Sequence, residues 1–262
     1  MVGAAAPVLG GLATGLSGGI LAGIFGVGGG LVMVPMLALV LALDQRQAQG
    51  ATLAAMLLPT GLPAVLEYRR RGVQTNLRMV GILILGFLLG IEVGARVANG
   101  IPPGILRWGF IAFLLLIAFH TARRQDPVRS DGPSGIPGLR DGLWAGALPI
   151  GLAAGLVSGL TGLGGAVVVI PLLAARFRMT QHEAQLTSLA MLLPPIGLPG
   201  VLVYARTGEG LPWGVAVGVA LGFLPGAYLG ARVATRLRGP RLRRAFAGLA
   251  VVMALLLALR GR

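Results

Sequence analysis

The chain of 262 residues contains no cysteine, and all 22 of its basic residues are arginine. The first absence excludes disulfides and thiolate metal sites. The second excludes a Walker-type phosphate loop, which needs its lysine. Acidic residues number only 8 and histidines 2, with no HExxH motif and no carboxylate cluster, so neither an intramembrane enzyme nor a metal site or bound cofactor is indicated. Charged residues amount to 11% of the chain, against about a quarter in a soluble domain. The N-terminal stretch MVGAAAPVLGG lacks the basic segment of a cleavable signal peptide, so the first membrane segment is expected to start there and remain.

What the chain has instead is apolar length. Hydrophobic residues make up 55%, in long runs separated by short arginine-bearing loops, which is the pattern of a polytopic, all-helical membrane protein. The formal charge of +14 does not point to nucleic acid. The arginines sit at segment ends rather than on one face, as the bias of charge toward the cytoplasmic side explains.

A shift of 136 residues lays the chain on itself. GIFGVGGGLVMVP (Gly23 to Pro35) falls on GLTGLGGAVVVIP (Gly159 to Pro171), and GFLLGIEVGARVA (Gly86 to Ala98) on GFLPGAYLGARVA (Gly222 to Ala234). With a one-residue slip, AMLLPTGLPAVLEY falls on AMLLPPIGLPGVLVY. The expected organisation is a first repeat over residues 1–122, a hydrophilic linker over 123–141 and a second repeat over 142–262. Apolar segments are expected near 5–25, 30–43, 48–68, 77–99 and 102–121, then near 142–161, 164–175, 184–204, 211–235 and 243–259. The second segment of each half would reach only about 21 and 18 Å as helix, short of a hydrocarbon core of about 30 Å, and suits a re-entrant or buried piece.

The arginines distinguish two topologies. If each half crosses four times in parallel fashion, they divide equally between the faces. If each glycine stretch is instead the tip of a hairpin, the second half inverts and the division becomes 16 to 6. The richer side, which includes Arg69 to Arg71, the linker and Arg236 to Arg244, should face the cytoplasm, leaving both termini outside. Each repeat then holds a short glycine-broken hairpin plus three transmembrane helices, in inverted orientation. Inverted repeats with broken helices meeting near the midplane are a common build of secondary transporters.

The breaks suggest chemistry. Gly26, Gly28, Gly29 and Gly30 in one half, and Gly162, Gly164 and Gly165 in the other, free backbone N–H groups to converge at the start of a short helix. Unpaired donors at the positive end of a helix make an anion site without formal charge. The alternative is tight helix packing, the natural reading of the GxxxG spacings at Gly15/Gly19/Gly23 and Gly86/Gly90/Gly94; consecutive glycines exceed what packing needs. Gln49, Thr52, Gln185, Thr187 and Ser188 in the third segments either complete an oxyanion's shell or hydrogen-bond neighbouring helices. Pro59/Pro63 and Pro194/Pro199 imply a second discontinuity in each half. Glu92 stands one turn before Arg96, which an i,i+4 pair explains; the functional alternative is a proton-coupling carboxylate. His120 and His182 lie at segment ends.

SGGILAGIFGVGGGLVMVPML, RQAQGATLAAM and ILRWGFIAFLLLIAF in the first half, and SGLTGLGGAVVVIPLL, QLTSLAMLL and GFLPGAYLGARVATRL in the second, resemble the TauE/SafE sulfite exporter family over almost the whole chain. The resemblance implies movement of a small sulfur-containing anion such as sulfite or a sulfonate across the inner membrane, driven by a proton or sodium gradient.

Overall fold

The computed structural model describes residues 2–25, 30–59, 61–123, 143–177, 179–206, 210–234 and 239–259; Gly26, Gly28, Gly29 and nearly all of the linker lie outside them. Among the described residues there are twelve helices and no strand. The first half holds α1 (Val2–Phe25), α2 (Gly30–Val40), α3 (Gln45–Ala55), α4 (Leu62–Arg70), α5 (Leu77–Gly100) and α6 (Pro103–Arg123). The second holds α7 (Leu143–Thr161), α8 (Ala166–Phe177), α9 (Gln181–Met191), α10 (Leu198–Ala205), α11 (Trp213–Ala234) and α12 (Gly239–Leu259).

Local signals set these boundaries, and they recur. α3 opens with a capping box in which Asp44 accepts from the Gln47 amide and the Gln47 side chain answers the Asp44 amide. Thr180 and Glu183 do the same for α9. Both devices satisfy amides that a helix start leaves without partners. α3 and α9 stop before Pro59 and Pro194, and α4 and α10 resume with a proline in their first turn. The expected apolar segments 48–68 and 184–204 are therefore two helices each, divided where proline removes a backbone donor.

Pro7–Phe25, Leu77–Gly100 and Trp213–Val233 are long and apolar enough to cross a membrane. α2 and α8, of 11 and 12 residues, reach roughly half of a core about 30 Å thick. The long helices turn apolar residues outward as well as inward. On α5, Leu85, Leu89, Val93 and Val97 are exposed at every fourth residue, while Leu83, Phe87, Ile91 and Ala95 are buried. An apolar outer stripe of this kind suits lipid, not water.

The tightest seams join the halves crosswise. A Cβ added at Gly15, Gly19 or Gly23 of α1 would fall on the carbonyl of Val219, Phe223 or Ala227 of α11. One added at Gly151, Gly155 or Gly159 of α7 would fall on the carbonyl of Leu83, Phe87 or Ile91 of α5. The second set is the first moved by 136 residues. In both seams the numbers rise together, so α1 runs parallel to α11 and α7 parallel to α5. Gly86, Gly90 and Gly94 form the other side of the α5–α7 seam against Leu148, Leu152 and Leu156. The small-residue stripes thus let backbones touch, as membrane helices require in place of a hydrophobic drive. Between the seams lie α3 and α9, whose Gln49, Thr52, Gln185, Thr187 and Ser188 are fully buried although α3 is among the less apolar helices.

Candidate functional site

Between the end of α7 and the start of α8 the chain passes through Gly162, Leu163, Gly164 and Gly165. The three glycines have φ of 72°, 74° and 73°, the left-handed region in which a Cβ is strained. The Gly162 amide donates to Ser158 O at 2.7 Å, closing α7. The Ala166 amide donates to Gly164 O, and those of Val168 and Val169 to Gly165 O. Among the described residues no backbone carbonyl accepts from the amides of Leu163, Gly164, Gly165 or Val167, and all four residues are buried. Buried amides are paired in the great majority of cases, so four without a carbonyl at the positive end of one helix make a concentrated donor set.

Gly30, the first residue of α2, is pressed onto this turn: a Cβ there would sit 2.5 Å from Gly162 O and from Leu163 Cα. A Cβ on Gly162 would lie 2.9 Å from Gln49 Cα. The start of α2, the second break and the middle of α3 therefore meet at one place. Gly26, Gly28 and Gly29 of the first break fall outside the described residues.

Two glutamines tie off the hairpin helices of the opposite halves. Gln49 Nε2 donates to Leu160 O of α7 at 3.1 Å, and Gln185 Nε2 to Phe25 O of α1 at 3.0 Å. Each glutamine oxygen accepts from a tyrosine, Gln49 from Tyr204 and Gln185 from Tyr68, both at 2.9 Å. The Tyr204 hydroxyl also lies 2.8 Å from Gly159 O. The terminal carbonyls of Ser158 and Leu160 are thereby covered by an amide and a carboxamide, and Gly159 O shares the single Tyr204 proton with Gln49 Oε1. Hydrogen bonding here lowers the partial negative charge that the end of α7 would otherwise turn toward the start of α8.

The remaining polar candidates divide. The Thr52 hydroxyl donates to Ala48 O at 2.8 Å, and that of Thr187 lies 2.8 Å from Glu183 O and 2.7 Å from Thr75 Oγ1. The hydroxyls of Ser188 and Ser158 are buried and have no hydrogen-bond partner among the described residues. Glu92 stands on the partly exposed side of α5, paired with Arg96 one turn on. His182 lies in the first turn of α9, its ring 6.0 Å from that of Tyr68; the His120 side chain falls outside the described residues. Among the described residues no group of three or more His, Cys, Asp or Glu could hold a metal.

Sequence reasoning overlooked Tyr68 and Tyr204. A signal existed: the chain has three tyrosines, and these two occupy repeat-matched positions in apolar segments, where a phenol needs a partner.

The family model described as Sulfite exporter TauE/SafE matches residues 11–257. A protein named "Probable membrane transporter protein YdhB" from Bacillus subtilis (strain 168) is 27% identical over 82% of this chain and 85% of its own length. Two proteins of Haemophilus influenzae (strain ATCC 51907 / DSM 11121 / KW20 / Rd), each named "Probable membrane transporter protein", are 24% and 25% identical. They align over 71% and 93% of this chain, and over 68% and 95% of their own lengths. No solved structure matches the chain.

Proposed function

This chain belongs to the sulfite exporter TauE/SafE family, and from that membership we propose that it is a secondary transporter of a small sulfur-containing anion. Sulfite, a sulfonate or a related organosulfur anion is the substrate class, and the cytoplasmic membrane is the barrier. The anion is held at the helix breaks by backbone N–H groups, with Ser188 as the neutral side-chain donor best able to join them. The observation that carries this reading is the turn at Gly162 to Gly165, with its buried amides lacking carbonyl partners. Gln49, Gln185, Thr52 and Thr187 act as the frame that keeps this turn in shape. Glu92, on the outer side of α5, stands apart from this set.

The same proposal takes residues 1–122 and 142–262 as inverted repeats joined by a cytoplasmic linker, with both termini outside. Helix direction supports the inversion. At the start of α3, Arg46 reaches the carbonyls of Asn99 and Ile101 at the end of α5. One turn on, a Cβ at Gly50 would meet Leu211, just before α11 begins. α5 and α11 are equivalent helices, yet one ends and the other begins beside the same turn. Rocking of the two halves about the shared breaks then exposes the anion alternately.

The test is a thermal-stability screen of purified protein against sulfite, sulfate, thiosulfate, sulfoacetate and simple carboxylates, since a ligand of the native state raises its melting temperature. A rise with one or more sulfur oxyanions is expected, and Gly164→Leu should abolish both that rise and proteoliposome flux while inserting normally. Equal flux through Gly164→Leu would overturn the site. Flux indifferent to a proton or sodium gradient would make the protein a passive channel instead.

A further inference from the structure

The buried polar atoms left without partners are not scattered. Among the described residues seven such side-chain atoms occur, and besides Ser158 and Ser188 they belong to Gln45, Arg46, Asn99 and Arg107. These four residues lie where the start of α3 meets the end of α5 and the start of α6. Arg46 Nη2 donates to Asn99 O at 3.0 Å and Ile101 O at 2.6 Å, yet its Nε is buried and unpaired. Arg107 Nε is buried and unpaired as well, its guanidinium 5.8 Å from the Trp108 ring. Gln45 is 5% exposed with both polar side-chain atoms unpartnered. Among the described residues neither arginine has a carboxylate within ion-pair distance, whereas Arg71 and Arg96 each have one.

Burying part of a cation without a counter-ion is costly, more so beside a membrane core. Arginine's fork matches a planar or pyramidal oxyanion. We propose that Arg46 and Arg107, with Gln45, form a capture site for the transported oxyanion at this face of the protein, ahead of the glycine turn; the proposal rests on the transporter reading given above. The route inward runs along α3. Gln45, Gln49 and Thr52 are spaced three and four apart, which sets them on one helix face, and Gln49 touches Gly162. The residue equivalent to Arg46 in the second half is His182, so the two mouths differ in fixed charge.

Sulfite flux in proteoliposomes tests this, with apparent KM and maximal rate measured separately at low and high salt. Arg46→Gln should raise KM about tenfold at low salt and leave the maximal rate within about twofold, because a rim charge acts on encounter more than on the step that follows. Salt should raise the wild-type KM and leave that of Arg46→Gln nearly unchanged. Arg46→Lys should restore most of the loss, since the charge survives although the fork does not. An unchanged KM in Arg46→Gln, with the wild type carrying sulfite, overturns the capture site and spares the transporter reading. Equal collapse of rate and melting temperature in Arg46→Gln and Arg46→Lys assigns Arg46 to holding α5 and also overturns it. Finally, the oxyanion could come from a lipid phosphate. A melting temperature raised by phosphatidylglycerol but not phosphatidylcholine in the wild type alone, with KM unaffected by Arg46→Gln, would show that source and overturn capture of substrate. If the wild type carries no sulfite or other sulfur oxyanion, the transporter reading itself fails.

Discussion

At the scale of single residues, the two tyrosine–glutamine pairs explain why uncharged polar groups sit in the most buried part of an apolar chain. Gln49 and Gln185 each spend their amide on a helix-terminal carbonyl and their oxygen on a phenol. Neither phenol can leave without stranding a buried acceptor. Tyr204→Phe and Tyr68→Phe should therefore each destabilise the protein by about 1–3 kcal/mol, the usual cost of an unsatisfied buried partner. Tyr204→Phe should be the worse, because its single hydroxyl proton is shared between Gln49 Oε1 and Gly159 O, and both acceptors lose it. Melting curves in detergent read both values. A Tyr204→Phe variant as stable as wild type would mean that Gln49 finds another donor, and that the end of α7 needs no cover.

At the scale of elements, the seams argue that small residues are placed where backbones meet. Gly155 of α7 faces the Phe87 carbonyl closely enough that no side chain fits, so Gly155→Leu must push the α5 and α7 backbones apart. Loss of monodisperse protein on size exclusion is expected. Gly104 on α6 has nothing within 4 Å of an added Cβ, and Gly104→Ala should express as wild type, gaining up to about 1 kcal/mol of helix propensity. Matching behaviour of the two variants would remove packing as the reason for the stripe. The stripe, the second glycine break and the proline breaks were legible in the sequence because each is a local device: a spacing or a missing donor within a few residues. The capping boxes of α3 and α9 are as local but were overlooked. The partner of each stripe was not legible. Gly15, Gly19 and Gly23 say that a backbone comes close, but nothing in their spacing says that it belongs to α11 of the other half. The fate of Gln49 and Gln185 was hidden for the same reason, since their partners Leu160, Tyr204, Phe25 and Tyr68 are more than 100 residues away in the chain.

At the scale of the whole molecule, orientation is the claim on which alternating access depends. The crosswise seams already impose a relation: α1 lies parallel to α11 and α7 to α5, so whichever way α5 points, α7 follows it. With α5 ending and α11 beginning beside the first turns of α3, equivalent residues of the two halves should lie on opposite faces of the bilayer. Arg70 and Arg206, exposed at the ends of α4 and α10 and 136 residues apart, offer the comparison. Because the chain has no cysteine, Arg70→Cys and Arg206→Cys each introduce a single thiol. A membrane-impermeant maleimide added to intact cells should label Arg206→Cys at once and Arg70→Cys only after the cells are opened, in line with the arginine-rich face being cytoplasmic. Labelling of both from outside, or of neither, would place the equivalent ends on one face. The two halves would then be parallel copies, and rocking between inverted halves could not deliver the anion from one side to the other.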